Sequence, residues 1–223
     1  MKHRTGFTLV ELMIAVFIFG YIAASLSTIY STSHSYLFQN YRNNIIKTGV
    51  LLSMRAIQNN LPAATRVDAP AAGAAGSVLA FAVNVDKVTS CYPVNSLATT
   101  SWHYFCLAND ASTPGYRSLY YHTGTLAGGT PCGSAAATIW NGAYPVPTCG
   151  AALAGQTVTK LMQYADTSAG YVFSRRASEG IDDNGSVRVL LRSRWDAAAR
   201  GMGRIQRNVD FNMNTVIRSN SPQ

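Results

Sequence analysis

Glu11 is the single ionisable residue in an otherwise apolar run from Phe7 to Ile29. A carboxylate inside such a segment costs roughly 2.5–3.5 kcal/mol on membrane-insertion scales, so it needs a compensating role. Four cysteines, Cys91, Cys106, Cys132 and Cys149, all follow that run. An even count beyond a membrane segment fits an oxidising compartment and two disulfides. Three pairings are open. Cys91–Cys106 and Cys132–Cys149 close the shortest loops and are the expected pair, each adding about 3 kcal/mol by constraining the unfolded chain. His103 and His122 lie nearby in sequence, but there is no C-x-x-C spacing, so no metal site is expected.

Two further clusters carry charge. Asp182-Asp183-Asn184-Gly185 lacks the full spacing and distal Glu of a calcium loop and reads as a turn between extended runs. Arg188, Arg192 and Arg194 alternate along a predicted strand, with Arg175, Arg176, Arg200, Arg204 and Arg207 close by. A solvated face is the default for such a pattern. The sharper reading is an anionic-ligand face for DNA or lipid phosphate. Glu179, Asp182, Asp183 and Asp196 blunt the field, and no aromatic platform is interleaved with the arginines, so DNA is not favoured as a partner. No G-x-S-x-G, H-E-x-x-H or P-loop occurs, and Gly201-Met202-Gly203 does not extend to a dinucleotide fingerprint. The sequence therefore names no catalytic residue and no cofactor.

The elements that must position these residues are legible from periodicity. The apolar run is long enough to span a bilayer as a helix, which takes about 20 residues. Lys2 and Arg4 ahead of it hold the N-terminus on the cytoplasmic side. An ordinary signal peptide, ending near Ala23-Ala24-Ser25, would share the basic start but gives Glu11 no purpose. From Ser31 to Asn60 there is no Pro. Leu37, Tyr41, Ile45 and Leu52 recur at helical spacing, as do Val50, Met54, Ile57 and Leu61, with Arg42, Lys47 and Arg55 among them. Leu61-Pro62 is the expected stop. Gly20 and Gly49 are expected soft points. Beyond the Ala/Gly/Pro-rich connector 69–76 the period becomes that of strands. Residues 78–85 place Leu79, Phe81 and Val83 on one face. Residues 102–107 and 118–122 form a hairpin around Pro114-Gly115, and 158–164 with 170–174 a second. Residues 124–155 form a stapled loop, and 186–194 and 209–218 alternate, the latter with Val209, Phe211, Met213 and Ile217 on one face.

Gly6-Phe7-Thr8-Leu9-Val10-Glu11 resembles the cleavage and methylation motif of type IV prepilins and type II secretion pseudopilins. The resemblance implies cleavage between Gly6 and Phe7 by a membrane prepilin peptidase, N-methylation of Phe7, and assembly through Phe7 and Glu11. Cleavage would leave an amine on Phe7. An amine and a carboxylate in one bilayer are each costly alone and far less so together, and pairing them between neighbouring subunits sets axial register. Downstream, Tyr104, Leu119-Tyr120 and Phe211-Asn212-Met213-Asn214-Thr215-Val216-Ile217-Arg218 resemble the strands of PilW-type minor pilins.

The expected fold is α+β: a pilin-like roll with a long N-terminal helix packed on an antiparallel β-sheet. Residues 1–6 are a leader, 7–61 the helix (7–30 its transmembrane and assembly segment), and 62–223 a β-rich head with two disulfides. Loss of the leader's Lys2 and Arg4 lowers the formal net charge of +8 by two. The resemblance implies a minor pilin of a type IV pilus that primes or caps the filament. A J-type secretion pseudopilin and a tip module binding DNA or surfaces are the alternatives. Other pilins, the peptidase and methyltransferase, the inner-membrane assembly platform and inner-membrane lipid are the implied partners. The protein would sit in the inner membrane with its head periplasmic before assembly, and in a surface pilus or periplasmic pseudopilus afterwards.

Overall fold

The computed structural model describes residues 8–110, 116–146, 148–151, 153–168, 170–176, 186–197 and 208–219. Its first element is a single helix, α1 (Leu9–Asn60), of 52 residues. At 1.5 Å per residue α1 is about 80 Å long. It begins at a Thr8 cap and ends where Pro62 enters a short 3-10 turn (Leu61–Ala63). No proline interrupts it, and both Gly20 and Gly49 are helical. Hydroxyls in the apolar half bond back to carbonyls one turn earlier: Ser25 Oγ to Tyr21 O at 2.9 Å and Thr32 Oγ1 to Thr28 O at 2.8 Å. That leaves few polar groups to satisfy from outside, as a lipid environment requires.

The strands are β1 (Arg66–Ala69), β2 (Ala75–Gly76), β3 (Val78–Val83), β4 (Cys91–Tyr92), β5 (Ser101–Asn109), β6 (Arg117–Thr125), β7 (Thr138–Ile139), β8 (Gln156–Ala165), β9 (Phe173–Arg175), β10 (Ser186–Trp195) and β11 (Val209–Arg218). The described pairings are antiparallel; β4 and β7 form a separate small ribbon. The large sheet runs β1-β3-β5-β6-β8-β10-β9-β2, with β11 also on β10. The architecture is thus the expected α+β one, a long helix on an antiparallel sheet.

The hairpin of β5 and β6 is present, paired from Ser101↔Thr125 to Asn109↔Arg117; its turn at Pro114-Gly115 lies outside the described residues. The expected second hairpin is not formed. β8 pairs with β6, while β9 pairs with β10 and β2. Both strands lie along one edge of β10, at Ser193↔Ala165 and Val189↔Phe173. Between them the chain makes an excursion fixed at both ends, Asp166 N–H donating to Arg192 O at 2.8 Å and Leu190 N–H to Val172 O at 2.8 Å. Two apolar runs with a short spacer look like a hairpin in sequence; here they continue in one direction against a common neighbour.

Of the two apolar stripes on the second half of α1, one is buried against the sheet. Val50, Met54, Ile57 and Leu61 are buried with Leu79, Phe81, Phe105, Leu119, Met162, Val187, Val189, Leu191 and Ile217. Leu37, Tyr41 and Leu52 are exposed. At the membrane-side end of the head, Ile46 joins Trp195, Ala197 and Val209, and the Arg42 guanidinium lies 3.9 Å from the Trp195 ring centroid. Arg42, expected on the polar side, therefore packs against an aromatic face. The opposite face of β3 and β5 carries Ala82 and Trp102, covered by Trp140, Tyr144 and Val146 from the 126–155 loop.

Gly49 fixes how close helix and sheet come. A Cβ there would lie 3.3 Å from the Met162 Cα and 3.4 Å from Leu161 O, both backbone atoms of β8. A Cβ at Gly20 would meet nothing within 4 Å. Gly49→Leu should lower the unfolding free energy of the head by about 1–3 kcal/mol, because backbone cannot rotate away. Gly20→Leu should leave it unchanged. Denaturant unfolding of the full chain in detergent checks this, and equal effects at the two sites would contradict the close-approach argument.

Candidate functional site

The segment expected to carry assembly starts at the bottom of α1. Thr8 and Glu11 close a capping box: Glu11 N–H donates to Thr8 Oγ1 at 3.3 Å, and Glu11 Oε2 accepts from Thr8 N–H at 3.0 Å and from Thr8 Oγ1 at 2.9 Å. Reciprocal bonding of this kind satisfies donors that the first helical turn leaves orphaned. It also fixes the carboxylate over the helix N-terminus, where the helix dipole favours negative charge. The Thr-x-x-Glu spacing spells this box in the sequence, and Thr8 is the capping residue that sequence reasoning missed. Gly6 and Phe7, the expected cleavage and methylation positions, lie outside the described residues.

Above the cap, α1 presents an unbroken apolar surface. Leu9, Phe17 and Phe19 are each about three-quarters exposed, and the exposed large apolar residues continue through Tyr30 to Leu37. This stretch is long and apolar enough to cross a membrane.

The arginines of β10 point outward as their alternation requires, but each meets a polar partner. Arg192 Nη2 lies 2.6 Å from Asp210 Oδ2, and its Nε lies 3.3 Å from Asp166 Oδ2. Arg188 Nε donates to Asn214 Oδ1 at 3.0 Å, and Arg194 Nη2 lies 3.6 Å from Asp196 Oδ2. The hydrogen bond from Arg192 holds the Asp210 carboxyl below its ordinary range, and Asp210 in turn raises Arg192. The three arginines do share a strand face, as the sequence implied, yet carboxylates neutralise two of them. Arg175 bends away to donate from Nη1 to Val67 O at 2.6 Å. Glu179, Arg200, Arg204, Arg207 and the Asp182–Gly185 turn lie outside the described residues.

The four cysteines form two disulfides, with a pairing that corrects the local one: Cys91–Cys132 and Cys106–Cys149. The reason is the path of the 126–155 loop. It folds back over the second face of β3 and β5 instead of closing on itself. Cys132 N–H donates to Pro93 O at 3.1 Å, which sets it beside Cys91. Gly150 N–H donates to His122 Nε2 at 2.9 Å, which sets Cys149 over β6. Tyr144, donating to Asp68 Oδ2 at 2.7 Å, ties the middle of the loop to β1.

Two histidines are buried within the head. His103 hydrogen-bonds through Nδ1 with the Tyr121 hydroxyl at 2.7 Å and through Nε2 with Ser101 Oγ at 3.2 Å, and stacks on Phe81 with ring centroids 4.9 Å apart. Burial lowers its pKa to about 4. Burial also lowers His122, with Gln156 opposing.

Residues 1–27 match the family described as the prokaryotic N-terminal methylation motif. No curated protein and no solved structure matches the chain. The motif, with the long helix it opens, supports the type IV pilin-like prepilin family and a pilin-like or pseudopilin role. It implies processing by a prepilin peptidase and assembly with other pilins, and the apolar helix fits a precursor anchored in the inner membrane.

Two predictions follow from the head. Non-reducing peptide mapping should recover the 91–132 and 106–149 bridges, which close loops of 41 and 43 residues. Loss of either should cost about 4 kcal/mol; a peptide joining Cys91 to Cys106 would contradict the loop path. The second concerns pH. His103 stays neutral when folded down to about 4, whereas the unfolded chain protonates it near 6.5. Its stabilising contribution is therefore complete above about pH 6.5 and is lost as pH falls toward 4. Between pH 7 and 5, above the carboxylate range, stability should drop by about 2 kcal/mol from His103 alone. Denaturant unfolding across that interval should be flattened by His103→Gln down to the share left by His122; an unchanged slope would contradict the assignment.

Proposed function

We propose that this chain is a minor pilin of a type IV pilus. Anchored in the inner membrane with its head periplasmic, it is drawn into the filament by the assembly platform, where it primes or caps growth. The observation that carries this reading is the continuity of α1. One helix bears a capped carboxylate at its membrane end, an unpacked apolar surface along its first half, and the core of the head along its second. Such an element cannot bury its first half on its own head, so lipid must cover it before assembly and the helices of other pilins afterwards.

Glu11 supplies register. Its carboxylate is held toward the helix N-terminus by Thr8, and all its bonds to Thr8 run through Oε2. Cleavage after Gly6 would free an amine on Phe7, which is then N-methylated. In the filament that amine meets Glu11 of a neighbouring copy, and each charge offsets the cost of the other in an apolar medium. The β10 arginines, already engaged by Asp166, Asp210, Asn214 and Asp196, favour contact between subunits over capture of a polyanion.

Mass spectrometry of the assembled protein should show methylated Phe7 as its first residue. Glu11→Val should leave membrane insertion intact and reduce the amount in sheared filaments by tenfold or more, an effect of about 1.4 kcal/mol or above. Glu11→Asp should be partly tolerated, since charge is kept while reach shortens. Normal incorporation of Glu11→Val, or a mature terminus near Ser25, would overturn the proposal.

A further inference from the structure

The turn Trp140-Asn141-Gly142-Ala143 lies in the loop that covers the second face of β3 and β5, at a point the assembly role does not use. Asn141 is exposed, while Trp140 beside it is buried. The turn closes through a side chain: Ala143 N–H donates to Asn141 Oδ1 at 3.0 Å. An Asx turn of this kind curls the side-chain amide back over the next peptide, toward Gly142 N. Gly142 has φ +73°, a left-handed conformation that glycine takes without strain. Lacking a Cβ, it leaves its nitrogen open to approach. Its N–H makes no hydrogen bond among the described residues, so none must break before that nitrogen reacts.

A cation stands beside the same turn. Arg66 on β1 reaches both neighbours of Asn141. Its Cζ lies 5.7 Å from the Trp140 ring centroid, and its Nη2 lies 3.4 Å from where a Gly142 Cβ would stand. Arg66 Nε donates to Asp68 Oδ1 at 2.6 Å and Nη1 to Ser90 Oγ, whereas Nη2 has no hydrogen bond among the described residues. Trp140 N–H donates to Ser90 O at 2.8 Å, which ties the turn to this group. A guanidinium nitrogen with an unused donor is a ready partner for an oxyanion.

We propose that Asn141 is a site of spontaneous covalent modification, its side-chain amide becoming a carboxylate through a cyclic imide with Gly142. Gly142 N gives its proton to solvent base and attacks Asn141 Cγ. The N–Cγ bond forms, the bond from Cγ to the amide nitrogen breaks, and that nitrogen leaves as ammonia. Arg66 Nη2 stabilises the oxyanion that develops on the way. Proximity of nitrogen and carbonyl in one turn supplies the drive. Water then opens the five-membered ring. Opening at Cγ gives aspartate; opening at the backbone carbonyl gives isoaspartate, with one more carbon in the main chain. One water is consumed, one ammonia is released, and nothing is oxidised. Each event exchanges a neutral amide for a carboxylate beside Arg66. Asn95 is the internal comparison. It is exposed and closes the same kind of turn, Leu97 N–H donating to its Oδ1 at 2.9 Å, but Ser96 follows it and a Cβ crowds the attacking nitrogen.

The test uses the full chain in detergent micelles, held at mildly alkaline pH in heavy-oxygen water and followed by peptide mapping with mass spectrometry. A second sample is reduced and unfolded in denaturant. The peptide carrying residue 141 should lose ammonia and take up heavy oxygen at least as fast in the folded chain as in the unfolded one, and a methyltransferase specific for isoaspartate should label it. The Asn95 peptide should stay intact over the same period. Asn141→Gln should abolish the conversion, because the longer side chain must close a larger ring. Arg66→Gln should slow it in the folded chain and leave the unfolded rate unchanged. Asn184-Gly185, the other Asn-Gly pair, falls in a separate tryptic peptide and is read apart. An Asn141 that stays intact, reacts more slowly folded than unfolded, or is matched by Asn95 would overturn the proposal. So would an unchanged folded rate in Arg66→Gln.

Discussion

The seam between α1 and β8 is the contact on which the other parts depend. Only at a residue without a side chain can helix backbone and strand backbone come so near, and Gly49 provides it against Met162. Val50, Met54 and Ile57 then reach the sheet while Leu37, Tyr41 and Leu52 stay outside. The seam therefore sets the rotation of the whole helix about its axis. Since α1 is unbroken from Leu9 to Asn60, that rotation is passed along its length to Glu11. A head turned on its helix would present a different apolar stripe to its neighbours.

Electrostatics on the head are local. The basic total of +8 suggests a surface seeking anions, but β10 and β11 interleave charges of both signs, and Arg192 sits between two carboxylates. Exposed pairs of this kind contribute little to stability, typically below about 1 kcal/mol. Their effect is to shorten the range of the field and leave a surface that recognises shape and pairing more than charge.

The helix was legible because its causes are local: no proline between Thr8 and Leu61, a 3.6-residue period and a Leu-Pro stop. The β5–β6 and β10–β11 strands were legible because alternation over nine or ten residues leaves little ambiguity. The carboxylate at Glu11 was visible as a cost that needed a reason, but its Thr8 partner was overlooked, although the spacing spelled it. The features that were not legible share a different cause. The β8–β9 arrangement depends on β10 accepting both strands along one edge. The disulfide pairing depends on a loop crossing a sheet face. Neither of these has a local signature, since each is decided by which distant segments share a surface.

The bridges alternate along the chain, each running from the strand region to the loop, so neither closes inside the other. This gives the head a mechanical property. Tension applied between α1 and β11 would reach Cys149 from Cys91 by two routes, along the chain to Cys106 and across its bridge, or across the other bridge to Cys132 and on along the chain, so that a length equal to the stretch from Cys106 to Cys149 stays locked. Those 43 residues, about 150 Å of extended polypeptide, cannot be paid out under load. Even with its sheet torn open the head would lengthen far less than its sequence allows, behaving as a clasp with a fixed stop and not as a spring.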